Sequence, residues 1–286
     1  MREFLASRRA RISPQQAGVP GYGRRRVPGL RREEVAQLAG VSTDYYTRLE
    51  KGNLASASDS VLHAIAEALR LDEAEKAHLL DLARAARGSA REPRRRPQPQ
   101  LRPSVLQLLE SMTGSAAFVR NGRLDILAAN PLGRAVYAPA FENDPARPNL
   151  ARFCFLDQRS AAFYPDWDDA ANTTVALLRT EAGRDPYDRA LTDLVGELAT
   201  RSEDFRTRWA AHNVRLHHTG IKRFHHPVVG QLDLPFNAMP LPADPGLTLT
   251  AYTAEPGTPA EEELRLLASW TATQDQDAHH PAGDRT

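Results

Sequence analysis

The residues best suited to recognition chemistry lie between Arg31 and Gly52, in RREEVAQLAGVSTDYYTRLEKG. Thr43, Asp44, Thr47 and Arg48 share one helix face, with Tyr45 at its margin. Arg48 can bond a guanine edge bidentately, Asp44 can accept from cytosine, and Thr43 and Thr47 can reach bases or phosphates. Arg31 and Arg32 open the preceding helix and suit phosphate contact, as do Lys51 and the basic run Arg24–Arg26. This is a set of groups for reading a duplex rather than for breaking a bond.

Two helices joined by a tight turn must position these groups. Val35, Leu38 and Ala39, then Tyr46 and Leu49, are apolar at helical spacing. Ala36 falls where two helices approach closely. Gly40 falls at the turn, where the absence of a Cβ permits positive φ. Ser42 is a natural N-cap, which places the start of the second helix on the surface. Such a pair forms a helix-turn-helix, whose second helix enters the major groove.

Other chemistries find little support. GYGRRR at 21–26 lacks the third glycine, strand and helix start of a dinucleotide fingerprint. There is neither a nucleophile elbow nor a phosphate loop, and no motif calls for a cofactor. Cys154 is the only cysteine and sits between phenylalanines, as a buried hydrophobe does. Asp166, Asp168 and Asp169 read as a solvated turn. His217, His218, His225 and His226 invite a metal reading. Pairing about a Thr219-Gly220 turn would set no two of them face to face, and neighbours point to opposite sheet faces, so no metal site is expected.

The net charge of +1 conceals an asymmetry. Residues 1–103 carry 20 Lys and Arg against 12 Asp and Glu, a net +8, and the remainder carries 17 against 24, a net −7. A basic first part and an acidic second suggest that one end meets a polyanion. No apolar run is long enough to cross a membrane, and MREFLASRRARIS lacks a secretory h-region, so a cytoplasmic protein is expected.

Residues 1–87 read as an all-α domain. Residues 88–103 are rich in Pro and Arg, and Pro93, Pro97, Pro99 and Pro103 forbid a continuing helix, so a linker is expected there, either solvated or touching DNA. Residues 104–270 mix strands and helices. Val105, Leu106, Leu108 and Leu109 suggest a short leading helix. Asn121-Gly122 is a two-residue hairpin signal between Ala116–Arg120 and Leu124–Ala129. Residues 172–182 and 187–200 look helical, the second with Leu191, Leu194, Val195 and Leu198 on one face, and Ser202 can cap a further helix. Thr219-Gly220 suggests a second hairpin between Val214–His218 and Ile221–His225. Leu232–Phe236, Leu247–Thr253 and a helix over Glu261–Trp270 complete an α+β domain with a mainly antiparallel sheet. Residues 271–286 are polar and read as a disordered tail.

RVPGLRREEVAQLAGVSTDYYTRLEKG resembles the Cro/repressor-type (XRE) helix-turn-helix, in the variant that heads the MmyB-like regulators. FVRNGRLDILAANPLGRAVY, RFCFLDQRSAAFYPDWDDAANTTVALLR, DLVGELATRSEDFRTRWAAHNVR, GIKRFHHPVVGQLDL and YTAEPGTPAEEELRLLASW resemble the MmyB-like ligand-binding domain. The resemblance spans residues 2–270 and implies a PAS-like second domain with a cavity for a hydrophobic, fatty-acid-like molecule. It also implies that helices four and five of the DNA domain are Ser58–Leu69 and Asp72–Arg87. Asn237 after Phe236 departs from the family's aromatic-acidic pair.

The pocket would draw on Phe118, Phe153, Phe155, Trp167, Phe205, Trp209, Phe224 and Phe236, although most such rings simply fill a core. Arg208, His212 and Asn130 are candidates for orienting a ligand head group, with Phe153, Trp167, Trp209 and Phe236 as walls. A homodimer is expected, since one recognition helix reads too little sequence. Two other functions fit the same residues. The second domain could serve only dimerisation or protein interaction, or it could be an enzyme targeted to DNA.

Overall fold

A computed structural model describes residues 2–19, 29–88, 101–211 and 219–279. The helices of the first part are α1 (Arg2–Arg11), α2 (Arg32–Leu38), α3 (Thr43–Glu50), α4 (Asp59–Ala68) and α5 (Glu73–Gly88). After α6 (Pro103–Ser111) come strands β1 (Ala116–Asn121) and β2 (Ile126–Ala129), then short helices α7 (Pro131–Val136), α8 (Ala138–Asn143), α9 (Leu150–Leu156) and α10 (Ser160–Phe163). Longer helices follow: α11 (Trp167–Arg184), α12 (Arg189–Arg201) and α13 (Glu203–Ala210). Strands β3 (Thr219–His226), β4 (Gly230–Pro240) and β5 (Leu247–Tyr252) precede α14 (Pro259–His279).

The chain forms two compact units that cross the expected linear boundaries. One comprises Met1–Arg95, Val175–Ala199 and Arg206–Leu216; the other comprises Arg96–Thr174, Thr200–Phe205 and His217–Thr286. In the first unit Phe4, Leu5, Leu30, Val35, Tyr46, Leu49, Leu62 and Ile65 form the core of the N-terminal bundle. Its α5 meets the second half of α11 closely, because a Cβ on Gly183 would lie 2.4 Å from the ring of His78. His78 also packs edge-on to Phe4, and Arg179 stacks 3.9 Å from the centre of the Trp209 ring. Helices that belong to the second half in sequence are thus part of the first half's packing unit. α12 buries Leu191, Leu194 and Leu198 at the expected spacing, and Ser202 Oγ caps α13 by accepting from Phe205 N at 3.1 Å.

The second unit is built on one antiparallel sheet of order β2-β1-β5-β4-β3. Ala116 and Phe118 of β1 point into a large aromatic core with Tyr137, Phe153, Phe163, Tyr164, Phe224, Phe236 and Tyr252. Ala117 and Val119 point the other way, against Val105 and Leu109 of α6. This is the period-two alternation of a sheet covered on both faces.

Three local expectations are corrected. The first hairpin turns through Gly122, Arg123 and Leu124, not through Asn-Gly alone; Asn121 N donates to Asp125 O, and the positive φ (67°) is at Leu124. The Asn121 side chain decides this, since its oxygen accepts from Arg123 N and Asp125 N and so winds the longer turn. Thr219 and Gly220 are not a turn but paired residues at the start of β3, opposite Asn237 and Phe236. The chain reverses after His226 instead, where Gly230 takes φ 80°. Val214–His218 lie outside the described residues. Finally, α14 runs to His279, beyond the expected end of order at Trp270. TATQDQDAH contains no helix breaker before Pro281.

Candidate functional site

Local sequence builds the α2–turn–α3 unit. Gly40 adopts φ 66°, and the Val41 amide donates back to Ala36 O at 2.9 Å. Ser42 Oγ accepts from Tyr45 N at 3.1 Å and so caps α3. Glu34 reaches back to the Arg31 amide at 2.7 Å and fixes the start of α2. Val35, Ala36, Tyr46 and Leu49 are buried as the spacing requires. Leu38 is the exception, 42% exposed, because Ala36 and Ala39 supply the packed face of α2.

With Tyr46 and Leu49 inward, Ser42, Thr43, Asp44, Arg48 and Lys51 are exposed, and Tyr45 and Thr47 lie at the margin. Tyr45, Arg48, Leu49, Asn53, Ala55 and Ser56 line an open groove of about 370 Å³ beside α3. Arg31 is half-buried, with its guanidinium 3.2 Å from Glu33. Arg24–Arg26 lie outside the described residues.

Arg32 has an added role that spacing did not reveal. Glu50, the last residue of α3, is buried, and its two carboxylate oxygens bind two arginines. Arg9 of α1 donates to Oε1 at 2.9 Å, and Arg32 of α2 donates its Nε to Oε2. One carboxylate therefore ties three helices together. It also holds the Arg32 side chain, half of which remains exposed, at the surface. Burial, followed by the Glu50 charge, raises the nearby Tyr46 hydroxyl well above its usual pKa. The signal available in the sequence was the acid directly after buried Leu49.

The described residues among those expected to bind a ligand divide between the two units. Phe153 and Phe236 lie in the aromatic core, and Trp167 packs against it while donating to Cys154 O at 3.1 Å. Arg208 and Trp209 belong to the first unit, and His212 lies outside the described residues. Asn130 is corrected to a structural role. Its oxygen accepts from Ala117 N and Gly133 N, and its NH2 donates to Met112 O and Ser115 O. All four hydrogen-bonding positions of the amide are filled, so none is left for a ligand. His226 is likewise structural, bridging Ala135 O and Val228 N.

Two polar features of the core were not anticipated. Tyr137 and Tyr252 share a hydroxyl–hydroxyl bond of 2.7 Å inside the aromatic cluster. Lys222, on the same sheet face as Phe224, sets its ammonium 4.6 Å from the centre of the Tyr164 ring. Among the described residues no group of His, Cys, Asp and Glu is arranged to hold a metal ion, and no helix is long and apolar enough to cross a membrane.

Comparison with known proteins gives two family matches. Residues 2–79 match a helix-turn-helix domain, and residues 101–267 match the MmyB-like transcription regulator ligand binding domain. No curated protein matches the chain. The pairing of a helix-turn-helix with a ligand-binding domain is that of a ligand-responsive transcription regulator.

Proposed function

Since the chain belongs to the MmyB-like transcription regulators, we propose that it reads a specific duplex sequence through α3 and that a small fatty-acid-like molecule bound by its C-terminal domain modulates this reading. The observation that carries the DNA reading is the segregation of α3. Its buried face is tied into the bundle by Tyr46, Leu49 and Glu50, which leaves Thr43, Asp44 and Arg48 outward with Thr47 at the margin. Arg48 is assigned to guanine, Asp44 to cytosine, and Thr43, Thr47 and Tyr45 to base edges or phosphates. Arg31, Arg32, Lys51 and the Ser42 end of α3 are assigned to the backbone.

The ligand reading draws support from the match of residues 101–267 to a ligand-binding domain. The antiparallel sheet with α7 to α13 inserted between β2 and β3 supports a PAS-like fold. The protein acts in the cytoplasm as a homodimer on paired half-sites, with residues 88–103 linking its two functions.

The test is selection of binding sequences from a random duplex library by the full chain, followed by anisotropy titration with and without decanoate. The logarithm of affinity should fall linearly with the logarithm of salt, because phosphate contacts release counterions. Saturating decanoate should shift affinity roughly 5- to 150-fold. Failure to enrich any sequence would defeat the DNA assignment, and unchanged affinity at saturation would defeat the coupling.

A further inference from the structure

β3 carries a lysine where its surroundings call for an apolar residue. Gly220, Lys222, Phe224 and His226 point to one face of the sheet. Phe224 and His226 are buried there, and the β4 residues paired with this row are Phe236, Leu234, Leu232 and Gly230. The alternate residues Ile221, Arg223 and His225 face the other way, Ile221 being 65% exposed. Lys222 itself is half-buried: its stem lies in the layer of the aromatic core, and its ammonium lies over the Tyr164 ring.

Nothing else among the described residues neutralises that charge. Cys154, Asp169 and Asp166 act on Lys222 only through space, and Asp166 is held by Arg223 at 2.9 Å. Burial accordingly lowers the Lys222 pKa. A ring face offsets only part of the cost of taking an ammonium out of water. The ring beneath it carries the buried Tyr164 hydroxyl, which in turn adjoins the bonded hydroxyls of Tyr137 and Tyr252. One cation beside a hydroxyl-bearing ring, with apolar side chains behind it, is the complement of a carboxylate on an apolar chain.

We propose that Lys222 anchors the carboxylate of the domain's ligand, with Tyr164 beside it and the apolar chain directed toward the aromatic cluster. The inference rests on the ligand-binding reading above. It moves the head-group role from Arg208, His212 and Asn130 to a residue on the core face of the sheet. A purely structural lysine, kept for its stem and its contact with Tyr164, would leave ligand charge irrelevant, and this separates the two.

The full chain is titrated calorimetrically, at one pH and ionic strength, with decanoate, 1-decanol and decyltrimethylammonium. The wild-type protein should prefer decanoate to decanol. Lys222→Met should lose about 10- to 150-fold in decanoate affinity, the range of a hydrogen bond to a charged group, while binding decanol as before. Lys222→Arg should keep the preference. Should the Met variant fail to melt cooperatively, Lys222→Gln takes its place with the same expected loss. Unchanged decanoate affinity in the neutral variants, or a wild-type preference for decanol or the cation, overturns the assignment of Lys222 and leaves the ligand reading standing. If none of the three amphiphiles binds the wild-type chain, the ligand reading itself fails, and the anchor with it.

Discussion

Replacing Glu50 by glutamine keeps the shape of the side chain and one acceptor but removes the charge that two arginines share. Glu50 and Arg9 have side-chain exposures of only 2% and 15%. Removing one partner of a buried ion pair costs about 3–5 kcal/mol. The Arg32 half of the arrangement is about half exposed, so water replaces most of it and it adds about 0–1 kcal/mol. The residual opening of Arg9 and the retained amide oxygen reduce the total, and we expect the α1–α2–α3 assembly to lose about 2–4 kcal/mol. Native-state hydrogen exchange reads this locally and does not require the whole chain to unfold in one step. Protection of the Tyr46 and Leu49 amides should fall roughly 30- to 1,000-fold. Combining Glu50→Leu with Arg9→Met should recover much of the loss, because the buried charges are then removed together. Protection within about threefold of wild type in Glu50→Gln, equivalent to roughly 0.6 kcal/mol, would refute the argument that the shared charge holds the three helices.

Further outcomes follow from other positions. Gly133→Ala would place its Cβ 2.3 Å from the backbone oxygen of Ala117, so it should destabilise the second unit by more than about 3 kcal/mol; Gly196→Ala, in α12 with nothing within 4 Å, should stabilise by about 0.5–1 kcal/mol, both read by denaturant titration. His226 is held neutral, with burial lowering its pKa despite the bond to Ala135 O. Its unfolded form binds the proton more tightly, so stability should be fully present above the ordinary histidine pKa of about 6.5 and decline as pH falls below it; His226→Asn should flatten that part of a stability–pH profile. On a selected duplex, Arg48→Ala should cost about 1–3 kcal/mol and relax preference at one base position. Lys51→Ala should weaken all sequences alike and reduce the salt slope by about 1.

The DNA-reading unit was legible in the sequence because its determinants are local. Gly40, Ser42 and the apolar spacing of Val35, Ala36, Tyr46 and Leu49 act within one or two turns of chain, and the structure places each as expected. Local signals failed where a side chain competes with the backbone or where partners are remote. Asn121 lengthened the turn expected from Asn-Gly, and Asn130 bonds through its amide to four backbone groups up to 18 residues away. The sequence shows an acid at Glu50 but not that arginines 41 and 18 residues distant converge on it. Composition could not show that Val175–Ala199 packs in the same unit as the N-terminal helices. Lys222 is the sharpest case. Alternation along GIKRFHH places it on the face of Phe224, yet which face is the interior depends on pairing with Leu232 and Leu234 and on Tyr164 packed above. Capping, turns and helix faces are written in neighbouring residues and so belong to the sequence alone. The environment of a single charge is the sum of groups brought in from distant strands and helices, and only the tertiary structure decides it.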